Sequence, residues 1–161
     1  MTTLDQELKL LQLADDLGVR VEEDVGRLRP ADMGGWFPDD RLILIRRGLG
    51  YRNRLHAIAH ELGHATHDDP AGHVPRHELR AERYAAQLLI DPHEYAELET
   101  MYDGNPGAIA AELGVTVGLL TIWRDDLARD THGWLYNDER EERQIPWDWP
   151  WGAEYLAQLQ K

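Results

Sequence analysis

Two histidines four residues apart, His60 and His64, lie in a stretch that repeats apolar side chains at helical spacing. No other feature constrains the fold of the 161-residue chain as strongly. Leu55, Ile58, Ala59 and Leu62 form an apolar stripe that must be buried, so the segment from about Arg52 to about His67 is predicted to be a helix set against a core. Asp68-Asp69-Pro70-Ala71-Gly72 ends it. Residues four apart share a helix face one turn apart, so both imidazoles can reach a single ion. Glu61 is rotated round the helix by one residue. It is therefore placed to contact a water on that ion as a general base rather than to act as an equivalent ligand. His56 and His67 extend the same face by one turn in each direction and are expected behind the ligands or at the surface.

A catalytic zinc takes three protein ligands and keeps one position open. The chain has no cysteine, so the third ligand must be His, Asp or Glu. One familiar extension needs glycine three residues after His64 and histidine six after it. The chain has His67 and Pro70 there, which excludes that class. Glu78 follows 14 residues after His64, enough for a turn and an antiparallel return, and Glu82 lies one turn further along the same face. That spacing suggests Glu78 on the metal and Glu82 hydrogen-bonding a ligand histidine from behind. Asp68, Asp69, His73 and His77 remain alternative third ligands at this point.

Elsewhere the pattern predicts a mainly helical α+β domain. A helix covers Leu4–Leu17 with Gly18 as its C-cap, and Val19–Glu22 alternates as a short strand. Trp36-Phe37 and Leu42–Ile45 read as two more strands around the Pro38-Asp39-Asp40 turn. With no helix between these last two, a small antiparallel sheet is expected. Further helices are expected from Pro75 or Arg76 to Ile90, from Pro92 to Met101, from Asn105-Pro106 to Gly114, and from Val117 to Arg129. Residues 1–130 form one domain in this reading. Residues 131–161 form a charged, Trp/Pro-rich extension packed on it, carrying Trp147, Trp149 and Trp151 as a docking patch or a core cover.

The formal charge of −13 opposes binding to nucleic acid and to anionic lipid, and favours basic partners or simple solubility. The N-terminus lacks the basic and continuous apolar regions of a signal peptide, and no run approaches the ~20 apolar residues that span a bilayer. A soluble, cytoplasmic protein is expected.

These residues resemble the ImmA/IrrE-type metallopeptidases of bacteria, phages and mobile elements. The likeness covers most of residues 10–92. It rests on Gly34-Gly35-Trp36-Phe37, on His60 to His64, and on the run from Glu78 through Ala81, Tyr84 and Ala85 to Leu88-Leu89, similar to the family's E-x-x-A-x-x-F-A-x-x-L-L. Tyr84 stands where the family has Phe, and Ile90-Asp91-Pro92 replaces its Met-Pro ending. The resemblance implies a zincin-like core of the gluzincin type with Glu78 as third zinc ligand. It also implies an endopeptidase that cuts a regulatory or repressor-type protein.

Hydrolysis of this kind uses a second electrophile for the oxyanion, and Tyr84, Tyr95, His132 and Tyr136 are the candidates. The Leu42–Ile45 strand is a candidate to pair with extended substrate along its edge. Zinc is the default ion for the ligand set, with manganese or iron as substitutes. The alternative function is a DNA- or protein-binding regulator built on residues 110–124, which resemble a helix-turn-helix, with the metal site structural or latent. Arg124 is followed there by Asp125 and Asp126, which would meet phosphates badly.

Overall fold

The computed structural model describes residues 3–133, with side chains from 4 to 129. Tyr136, the side chain of His132, and the extension with Trp147, Trp149 and Trp151 lie outside the described residues. The fold is α+β. The elements run α1 (Thr3–Asp16), β1 (Arg20–Glu23), β2 (Gly34–Phe37), a single 3-10 turn (Pro38–Asp40), β3 (Leu42–Ile45), α2 (Tyr51–Thr66), α3 (Pro75–Leu89), α4 (Pro92–Met101), α5 (Pro106–Leu113) and α6 (Val117–Gly133).

Local chemistry sets most of these boundaries. Gly18 takes the left-handed conformation that stops α1. Asp91 and Asn105 cap α4 and α5 by accepting the His93 and Ala108 N–H groups, and each is followed by a proline whose missing N–H costs nothing there. Gly114 closes α5 in the left-handed region, and Thr116 caps α6 through Leu119 N–H.

The sheet corrects one expectation. Its order is β1-β3-β2, and it is mixed rather than antiparallel: β2 runs antiparallel to β3, whereas β1 runs parallel to it. A parallel pair needs a crossover of about a dozen residues or more, usually a helix. Here the 24–41 segment, including β2 itself, supplies that length. A second correction follows. β3 is the central strand, bonded on both sides and buried at all four residues, so Leu42–Ile45 has no free edge for a substrate. The free edges belong to β1 and β2.

α2 runs through the centre of the molecule. Leu55, Ile58 and Leu62 are fully buried, each stabilising the fold by about 1.5–3 kcal/mol, and β3, α3 and α1 pack around them. The α2–α3 contact is the most extensive between helices. Gly63 makes it close: a Cβ there would stand 2.9 Å from the Cα of Ala81, which leaves no room for any other residue. Among the described residues no single helix is long and apolar enough to cross a membrane.

Candidate metal centre

His60 and His64 project from α2 toward Glu78 in the first turn of α3. His60 Nε2 lies 3.2 Å from His64 Nε2 and 3.2 Å from Glu78 Oε2, and His64 Nε2 lies 3.4 Å from Glu78 Oε1. A tetrahedral ion with bonds of about 2.0–2.1 Å holds its ligand atoms about 3.3 Å apart, so the triangle has the size such an ion requires. These three residues are positioned to hold a metal ion.

The opposite ring nitrogens explain why both Nε2 atoms face inward. His64 Nδ1 donates to Asp69 Oδ2 at 2.9 Å, and His60 Nδ1 lies 3.0 Å from Glu82 Oε1. A carboxylate on Nδ1 fixes the proton there and leaves the Nε2 lone pair outward. Two such lone pairs and a carboxylate, brought within 3.4 Å of one another, repel unless a cation lies between them.

Glu82 lies behind His60, on the side away from Glu78. His56, Glu82 and His60 make a second cluster of metal-binding residue types, but its contacts are 2.8 and 3.0 Å. Those are hydrogen-bond lengths, shorter than the ligand separations round an ion. Burial alone would raise Glu82, yet the hydrogen bonds from His56 and His60 outweigh it and hold the carboxyl at about 2.

Asp69 has a role that the sequence did not reveal. Weighed as a ligand, it instead orients His64. It is buried, bonded through its other oxygen to Arg80, and 3.6 Å from His77 Nδ1. Burial opposes its ionisation, but the Arg80 and His64 bonds hold it below the usual carboxylate range. Its carbonyl accepts the Trp36 Nε1–H at 3.0 Å. Asp68 points away, 80% exposed and paired with Arg41. His73 is half exposed, with Nδ1 3.2 Å from Glu78 Oε1, and His67 bonds the Gly63 carbonyl. Burial lowers the pKa of His64, whereas at His60 the same effect is outweighed by Glu82, Glu61 and Glu78, which raise it.

Glu61 borders the triangle without belonging to it. Its carboxyl is buried, and burial pushes it up to about 7 despite the nearby His60 charge and the Trp36 backbone N–H it accepts. Gly34 makes this approach possible, since a Cβ there would stand 3.0 Å from Glu61 Cγ.

The triangle opens into a cleft of about 330 Å³. β2 forms one wall, with Trp36 and Phe37, and the Pro70–His73 loop forms another. At the rim the Arg27 guanidinium lies 4.2 Å over the Phe37 ring, and Arg29 is held by Asp32. Nothing in the sequence alone had singled out Arg27, Arg29 or Asp32.

Neither Tyr84 nor Tyr95 is among the residues that line this cleft. Tyr84 follows Glu78 by six residues, about 240° round α3, and its hydroxyl meets Thr66. Tyr95 is packed on Trp123 and accepts a hydrogen bond from Arg124 Nε. No family model matches the chain, and no curated protein matches it.

Proposed function

We propose that this chain is a zinc-dependent metallo-endopeptidase with a zincin-like, gluzincin-type core, in keeping with the resemblance of its motifs to the ImmA/IrrE-type enzymes. The observation that carries the reading is the convergence of two Nε2 atoms and Glu78 at ion-sized separations beside a buried carboxyl, Glu61, that is not part of the set. A purely structural site has no use for such a neighbour.

Zinc held by His60, His64 and Glu78 supplies Lewis acidity, which acidifies water and polarises a carbonyl. The chain's own residues do the rest. Glu61 accepts a proton from the attacking water and returns it to the leaving amine. A carboxyl raised to about 7 by burial suits both halves of that task. The Trp36 backbone N–H aims the carboxylate. Asp69 and Glu82 keep the two imidazoles in the ligating tautomer. The wall of the cleft is β2, an edge strand, and an extended segment of a protein substrate fits alongside it. A cytoplasmic regulatory or repressor-type protein is the substrate class that the resemblance implies.

Elemental analysis tests the site: about one zinc per chain in the wild type and none in His64→Ala. Glu61→Gln should keep the metal, trap substrate and lose hydrolysis. Wild-type cleavage rates in that variant would overturn the assignment of Glu61.

A second reading, a regulator acting through residues 110–124, draws on the 103° bend between α5 and α6, an angle typical of helix-turn-helix pairs. Against it, Arg124 is spent on Tyr95, Glu99 and the Gly104 carbonyl, and Asp125 faces solvent. An electrophoretic mobility shift at low salt separates the two.

A further inference from the structure

His56 is absorbed neither by the metal triangle nor by the hydrolytic chemistry, yet it is mostly buried on the face that carries both ligand histidines. Its Nε2 lies 2.8 Å from Glu82 Oε2, and its Nδ1 lies 3.4 Å from Thr116 Oγ1. One assignment of protons satisfies every group. Nε2–H donates to Glu82, and the Thr116 hydroxyl donates to Nδ1 while accepting the Leu119 N–H. Glu82 is then hydrogen-bonded by His56 at one oxygen, while its other oxygen makes an ion-pair contact with His60 Nδ1 at 3.0 Å. A glutamate has three rotatable bonds, so a carboxylate held from one side only would swing and let the His60 ring turn.

We infer that His56 is a positioning residue for the metal centre. It locks Glu82, and through Glu82 the ring of His60, from a seat supplied by the Thr116 turn between α5 and α6. The inference rests on the proposed metal site. It adds that the helical pair carrying the helix-turn-helix-like segment helps set the geometry of the zinc ligands.

The experiment is zinc affinity of the full chain, measured by competition with a chromogenic chelator and organised as a double-mutant cycle. His56→Leu should weaken zinc about five- to tenfold, the low end of the loss expected when support behind a ligand is removed. His56→Gln, which keeps a donor toward Glu82, should recover most of that loss. In a Glu82→Gln background, His56→Leu should cost nothing further, because the carboxylate it locks is gone. Should His56→Leu fold poorly, the Gln variant and long-range ¹H–¹⁵N spectra of the imidazoles carry the test. In metal-free wild type His60 should show a single Nδ1–H tautomer, and in His56→Gln that signature should persist. Equal losses in both backgrounds, or a lower melting temperature with zinc affinity unchanged, would overturn the inference and leave the metal site standing. A wild-type chain that binds no zinc would instead sink the site itself, and the inference with it.

Discussion

The two histidine arms of the candidate metal centre reach the same end by different means. His64 is held by a near neighbour: Asp69 is five residues away, buried, and neutralised by Arg80. His60 is held from a distance by Glu82 on another helix, itself bonded by His56 and more exposed than Asp69, 27% against 4%. One arm depends on a loop and an aspartate–arginine pair, the other on helix packing and imidazole donors. Removing one partner of a buried charge pair leaves an uncompensated charge, whereas losing a neutral hydrogen bond costs less. The arms should therefore fail differently.

The largest effect is expected at Asp69. Asp69→Ala removes the acceptor of both the Arg80 guanidinium, itself 40% exposed, and the His64 Nδ1–H, and should weaken zinc about 100-fold while costing about 2 kcal/mol in urea denaturation. Glu82→Gln should weaken zinc about tenfold and also lower the denaturation midpoint at neutral pH, because it removes a carboxylate that His56 and His60 hold at about 2. Equal losses of stability in the two variants would erase the distinction between the arms.

Glu61 sharpens the contrast, because its carboxyl is supported only by the Trp36 backbone N–H and by the charge of nearby His60, which do not offset its burial. Its folded pKa of about 7 lies above that of an unfolded glutamate, so ionising it opposes folding. Metal-free protein should accordingly lose stability as pH rises from about 4.5 through about 7, by at most about 3 kcal/mol. His60, also raised, pushes the same way. Glu61→Gln should narrow the stability difference between pH 5 and pH 8 in chemical denaturation of the metal-free chain. An unchanged difference would show that burial is not what governs this carboxyl.

The smallest effect is reserved for Tyr84. Tyr84→Phe removes only the hydroxyl that meets Thr66, and should change zinc affinity and hydrolysis less than about twofold. A large fall in turnover would return Tyr84 to the reaction despite its place outside the cleft.

What was legible in the sequence is what is local. Helical period, proline at the first turn and glycine beyond the last fixed α2 to α6 to within a residue or two at most boundaries, and the i, i+4 rule placed His60 with His64 and Glu78 with Glu82. The parallel pairing of β1 with β3 was not legible, because no short-range pattern says which strands meet. Nor was the role of Asp69. The chain offers Asp68 and Asp69 side by side, and which one turns inward depends on Asp68 taking a left-handed backbone, φ 49°. Asparagine and aspartate tolerate that conformation, but nothing in the sequence demands it.

The seat of Gly63 against Ala81 has a consequence for which ions are admitted. Because Gly63 lets α2 approach α3 this closely, Glu78 comes near enough to His60 and His64 for the three donors to sit at separations that suit a small ion. Calcium, which takes bonds of about 2.3–2.6 Å and six or more oxygen ligands, is a poorer match to two imidazoles and one carboxylate than a smaller ion that accepts nitrogen.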